Sequence, residues 1–144
     1  MRVIRRLRNA ATYLRVVALF VLVESLIRWV SLPRMTALMR VRLDLRSADP
    51  SAEMASRIAL SYRAERRLTY TWRVAARWPF GAGPCLRRSL VAAHLLRSSG
   101  ATLRLGFPRG PRESVAHAWI EIERRPLENV SAFEPFTHTL AGSR

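Results

Sequence analysis

No lysine occurs among the 144 residues, and there is one cysteine, Cys85. Without a second thiol the chain cannot close an internal disulfide. One cysteine and three widely spaced histidines also fall short of the four-ligand set of a structural zinc site. Acidic residues are scarce: ten stand against 25 arginines, which leaves a formal charge of +15. Six glycines and eight prolines are too few for a collagen-like or low-complexity chain. A long hydrophobic run is missing as well. The apolar stretch Val16 to Val23 gives way to Glu24, Ser25 and Arg28. That is short of the about 20 apolar residues a spanning helix needs. The arginine-rich start followed by this run imitates a signal peptide, but no small-residue cleavage site follows it. These absences imply a cytoplasmic protein with neither metal nor cofactor. The first helix is expected to be amphipathic or buried, with peripheral membrane contact left open.

What is present suits a globular chain: 49% apolar and 24% charged residues, at a length that makes one domain. The charge is uneven. Residues 1–80 hold sixteen arginines and five acids, so +11, while residues 81–144 hold nine and five, so +4. A basic half can attract nucleic acid, anionic lipid or an acidic protein. Nucleic acid is not expected, because the arginines form no dense block and no zinc-finger or RNA-motif signature or aromatic ladder accompanies them. The basic half is either a docking surface or a solvated, arginine-rich exterior.

The chain divides into a helical region, 1–76, and a core, 77–144, together one compact domain. The first ~30 residues read as one helix or two, closed near Pro33. Val41, Leu43 and Leu45 alternate with charges and suggest a short strand. Asp49 and Pro50, with Glu53 nearby, signal a helix start, and the helix is expected to run to about Ala76, in one piece or in two around Arg67 to Thr71. Pro79-Phe80-Gly81-Ala82-Gly83-Pro84 is a loop. From Leu86 the apolar positions Leu90, Ala93 and Leu96 recur at helical spacing, and Ser98-Ser99-Gly100 stops the helix. Alternation over 102–107 and 115–123 predicts two strands, with a turn at Arg124-Arg125-Pro126 and a third strand over 127–133. The class is α+β with antiparallel strands.

Cys85 falls in the first turn of its helix, where the positive helix end favours a thiolate. Arg87 and Arg88 add positive potential. A thiolate nucleophile needs an imidazole to pass its proton on, and His117, flanked by Ala116 and Ala118, is the candidate. The bland alternative is a passive, packed cysteine and a hydrogen-bonded strand histidine. His94 shares the helix of Cys85 but lies more than two turns away, and His138 falls in the tail; neither is assigned chemistry. Trp119 is expected to pack beneath the site. Trp78 is expected to pack rather than to donate to an oxyanion, a role better suited to the Cys85 backbone N–H.

Cysteine at a helix start and then histidine on a following strand is the order of papain-like and transglutaminase-like cysteine enzymes. Gly83-Pro84-Cys85-Leu86-Arg87-Arg88-Ser89-Leu90, Leu95-Leu96-Arg97, Gly100 and His117-Ala118-Trp119-Ile120-Glu121 resemble the B-type leader peptidase of lasso-peptide biosynthesis in its stand-alone form. The resemblance is specific over residues 78–129 and general over the helical half. It implies a cysteine peptidase that removes the leader from a ribosomally made precursor peptide. The implied partners are that precursor, a leader-recognition protein and an asparagine-synthetase-like ATP-dependent cyclase. It further implies Cys85 as nucleophile and His117 as general base and acid. The third member is normally an aspartate twelve residues past the histidine. That position holds Asn129, with Glu128 beside it as the alternative. The same grammar would serve a transglutaminase-like amidase or acyltransferase. A non-enzymatic reading is a basic helical adaptor with Cys85 incidental.

Overall fold

A computed structural model describes residues 2–45, 58–79, 84–108, 116–128, 130 and 133–135. Among the described residues there are four α-helices and a five-stranded sheet: α1 (Arg2–Leu26), α2 (Leu32–Leu38), β1 (Arg42–Leu43), α3 (Tyr62–Ala75), α4 (Pro84–Leu95), β2 (Thr102–Pro108), β3 (His117–Ile122), β4 (Arg125–Pro126) and β5 (Phe133–Pro135). The α+β class read from the sequence holds.

Helix α4 is the centre of the fold. Ser89, Leu90, Val91, Ala92 and Ala93 are consecutive and all fully buried, so α4 is enclosed on every side. It packs against α1, α3 and β3. Three polar contacts fix it there. The Ser89 hydroxyl donates to the Ala118 carbonyl of β3 at 2.9 Å. Arg87 forks onto Glu24 of α1 at 2.6 and 3.2 Å. Arg67 of α3 donates to the Leu95 carbonyl at 2.8 Å. The Arg87 guanidinium holds Glu24 below the usual carboxylate range despite the opposing cost of burial. A 3-10 turn over Arg97–Ser99 and Gly100, at φ 73°, close the helix. The left-handed region favours glycine there, as the sequence signal implied.

Helix boundaries elsewhere depart from expectation. Pro33 does not end the first helix. It sits in the first turn of α2, where its missing N–H costs nothing, and α1 has already ended at Leu26. Asp49, Pro50 and Glu53 lie outside the described residues, and residues 58–61 are not helical. Helix α3 starts at Tyr62 because the Ser61 hydroxyl accepts from the Ala64 N–H at 3.3 Å. The break foreseen around Arg67 to Thr71 is absent. Thr69 and Thr71 return their hydroxyls to the carbonyls of Glu65 and Arg67, both at 2.9 Å, so neither opens the helix.

The sheet is mixed rather than purely antiparallel, because β1 runs parallel to β2. Strand β3 pairs antiparallel with β2 from Thr102↔Glu121 to Gly106↔His117. Glu123 and Arg124, both at positive φ, make a two-residue turn into β4, one residue earlier than the sequence suggested. No glycine or asparagine marks this turn, so its signal was missing. Of the third strand expected over 127–133, the described residues Leu127, Glu128 and Val130 are not in a strand and Phe133 begins β5, which pairs with the far end of β2.

Alternation on β3 gives the sheet two buried faces. Ala118, Ile120 and Ile122 join the helical core with Leu103. The other face carries Trp119 and Glu121, opposite Arg104 and Thr102. Arg104 has no exposed side-chain surface. Its guanidinium lies 3.1 Å from Asp44 and 3.6 Å from Glu121, whose Oε1 also accepts from the Trp119 indole at 2.9 Å. Burial pushes the Glu121 carboxyl up, while Trp119 and Arg104 pull it down. Arg104→Leu is expected to cost roughly 3–5 kcal/mol, because it strands a buried carboxylate. Urea unfolding will read the loss, and adding Glu121→Leu is expected to recover much of it. A single variant as stable as the parent would refute the role given to this cluster.

Candidate active site

The amino end of α4 meets the beginning of β3. Cys85 is the second residue of α4, half-buried, and His117 is the first of β3. The Cys85 sulfur lies 4.0 Å from the carbonyl oxygen of Ala116, the residue before His117. The helix places the thiol where backbone N–H groups are left unpaired by helical bonding. The pairing of His117 with Gly106 places the imidazole at the end of the β2–β3 ladder.

Glu128 approaches the ring at Nε2. Its Oε1 lies 3.8 Å from His117 Nε2, an ion-pair distance and not a hydrogen bond. Its other oxygen accepts from Arg88 Nη2 at 2.6 Å. Asn129 lies outside the described residues. Among the residues singled out from the sequence, the structure thus sets Cys85 against the residue preceding His117, and Glu128 near the His117 ring.

Three influences act on the imidazole. Burial is the largest and holds it below the ordinary histidine value. Glu128 pulls it up, and Arg88 pushes it down. The ring is also clamped by aromatics. Phe133 of β5 stacks on it at 4.3 Å between centroids, with an interplanar angle of 17°, and Trp119 lies at 6.2 Å. Gly106 stands between His117 and β5 in the sheet, and its missing side chain leaves the two rings free to meet.

Sequence reasoning missed the clamps. Arg88 follows Cys85 by three residues, so the two share a helix face. Its guanidinium lies 4.8 Å from the Trp72 ring of α3 while it grips Glu128. That spacing was readable, but its partners, 16 and 40 residues away, were not. Neither arginine is a free cation beside the thiol: Arg87 is committed to Glu24 and Arg88 to Glu128. Phe133 left no signal, because its contact depends on β5 pairing with β2.

The remaining candidates have structural surroundings. His94 lies beside the Met39 carbonyl, with Nδ1 at 2.6 Å, and burial depresses its proton affinity. Trp78 packs on Phe20 at 5.1 Å and helps hold the Glu24 carboxylate charged. Trp119 is fully buried beneath the site, where the sequence put it. His138 lies outside the described residues. Among the described residues, no three histidine, cysteine or acidic side chains group closely enough to hold a metal ion.

A half-buried thiol at a helix end beside the residue that precedes a histidine, and a carboxylate close to that histidine's ring, are residue types of a nucleophile–base–orienter set. Comparison with curated proteins and with solved structures finds no match. The family model of the transglutaminase-like superfamily matches residues 19–141. The match begins inside α1 and ends past β5, so it takes in most of the helical half as well as the strands. That superfamily includes cysteine peptidases and acyltransferases, and its members are typically enzymes. Read with the arrangement around Cys85 and His117, a match of this extent means that the chain belongs to the transglutaminase-like superfamily.

Proposed function

We propose that the protein is a cysteine peptidase that removes the leader from a ribosomally made precursor peptide during lasso-peptide maturation. The observation that carries the reading is the approach of the Cys85 sulfur, at the α4 amino end, to the carbonyl of Ala116 next to His117, with Glu128 3.8 Å from the His117 ring. The finer assignment, leader removal, rests on the motif run from Gly83 to Leu90 and from His117 to Glu121.

The chemistry follows from the positions. With Nε2 turned to Glu128, Nδ1 is the nitrogen left to take the thiol proton. Its depressed proton affinity keeps the imidazole neutral, and so able to act as a base, near neutral pH. The Cys85 sulfur attacks the scissile carbonyl, and the oxyanion is met by the Cys85 backbone N–H at the helix end. Collapse breaks the C–N bond, with His117 returning the proton to the departing amine of the core peptide. Water, deprotonated by His117, then attacks the thioester, releasing the leader carboxylate and restoring the thiol. An amine in place of that water would make the product of an acyltransferase.

Glu128 is the orienting residue favoured by its approach to Nε2. Asn129 is favoured by its spacing from His117. In this reading a leader-recognition protein delivers the precursor, and an ATP-dependent cyclase takes up the freed core.

Mass spectrometry of a leader-bearing precursor co-expressed with the protein tests the reading. The native protein is expected to release leader and core as hydrolysis products. Cys85→Ala is expected to release neither while keeping its circular dichroism. Full cleavage by that variant would end the proposal, and an amine-adducted product would convert it to acyl transfer.

The orienter has its own test. Glu128→Gln removes the influence that raises His117, so NMR is expected to find the ring titrating at lower pH than in the parent, with cleavage slowed. An unchanged titration, with slowing confined to Asn129→Ala, would transfer the role to Asn129.

A further inference from the structure

Helix α1 has two apolar faces and only one is used. Val16, Phe20 and Val23 point inward and are fully buried. On the opposite side Leu7, Leu14 and Val21 recur at seven-residue intervals, with Ile4 and Leu22 alongside, and all five are exposed. Just beyond the helix, Trp29 is 87% exposed. At about 1.5 Å per residue the helix is about 37 Å long.

The borders of this stripe are cationic. At 3.6 residues per turn, Arg8 and Arg15 flank it on one side and Arg6 on the other, all exposed. Residues 1–40 contain eight arginines and one acid, Glu24, which is committed to Arg87 on the inner side. Ser25, the polar residue on the stripe, turns its hydroxyl back to the Val21 carbonyl at 2.8 Å. Its donor is therefore met within the helix. An apolar strip with arginine margins, a self-satisfied hydroxyl and a nearby exposed indole has the chemistry of a helix lying in a lipid interface.

Although its unbroken apolar run is only Val16 to Val23, the helical segment Arg6–Leu26 as a whole passes for a spanning helix by length and average composition. The inner face argues against crossing, because α1 would have to leave Phe20, Val23 and the Arg87 contact behind. Lying flat keeps both faces satisfied.

We propose that the outer face of α1 seats the protein on an anionic lipid surface. The apolar side chains enter the boundary between headgroups and acyl chains, and Arg6, Arg8 and Arg15 grip phosphates, which a guanidinium can do bidentately. Seated so, the protein meets its substrate on a surface rather than in bulk. The inference goes beyond the peptidase reading and stands or falls without it.

Sedimentation of the full chain with vesicles tests it, using phosphatidylcholine alone and phosphatidylcholine mixed with phosphatidylglycerol. Binding is expected to the mixed vesicles, to weaken with salt, and to be absent from the neutral ones. Arg8→Gln with Arg15→Gln is expected to weaken it on the order of 20-fold. Leu7→Ser with Leu14→Ser is expected to abolish it. The arginine pair is exposed, so its effect is read without a folding penalty, and iodoacetamide labelling of Cys85 is expected to proceed as in the parent. Equal binding to both vesicle types, or undiminished binding by either pair variant, would overturn the proposal. So would lipid-free self-association that the leucine pair abolishes, which would give the face to a second copy of the chain.

Discussion

Everything at the site depends on how closely α4 lies on β3. Two alanines and a serine, Ala92, Ala93 and Ser89, supply the small surfaces that permit close packing, and the Ser89 hydroxyl ties the helix to the strand through Ala118. Arg87 and Arg67 then tie the same helix to α1 and α3. A helix held on three sides cannot turn about its axis. Rotation by one residue, about 100°, would swing Cys85 away from Ala116 and His117. The helical half of the chain thus positions Cys85. That accounts for a family match that starts at residue 19, far from the cysteine.

The electrostatics of the site are settled by pairing more than by net charge. A formal +15 suggests a thiol bathed in positive potential, but the two arginines next to it in sequence are each bound to a carboxylate. What remains local to the thiol is the helix end and the imidazole. Arg88 has two opposed effects on that imidazole. It opposes protonation directly, and it holds the carboxylate that favours protonation. With burial the largest influence, the net effect holds the ring below the ordinary histidine value. On the same face of the sheet, the Arg104 cluster is built to be static, with its charges buried and mutually held.

Cys85 and its helix α4 were legible because short-range chemistry marks them: a Gly-Pro loop in the sequence, a helical period and a closing glycine at Gly100. His117 was legible from strand alternation. The Ser61 cap and the Glu123-Arg124 turn were not. Serine is common in loops, and the turn uses residues without the usual preference for positive φ. Nor was the pairing of β5 with β2, since a strand of three residues carries no periodicity of its own. The choice between Glu128 and Asn129 turns on which side chain faces the ring. Spacing alone pointed to Asn129. Glu128 lies near the ring and is held by an arginine 40 residues earlier that no local pattern connects to it, while Asn129 falls outside the described residues.

The account centres on a thiol and an imidazole acting as one unit. The most direct measurement is the rate of Cys85 alkylation by iodoacetamide across the neutral pH range, in the parent and in His117→Ala. If the two groups are coupled, the variant's rate profile is displaced from the parent's and its labelling near neutrality is slower, while its circular dichroism is unchanged. Superimposable profiles would contradict the account and leave Cys85 as a cysteine packed at a helix end.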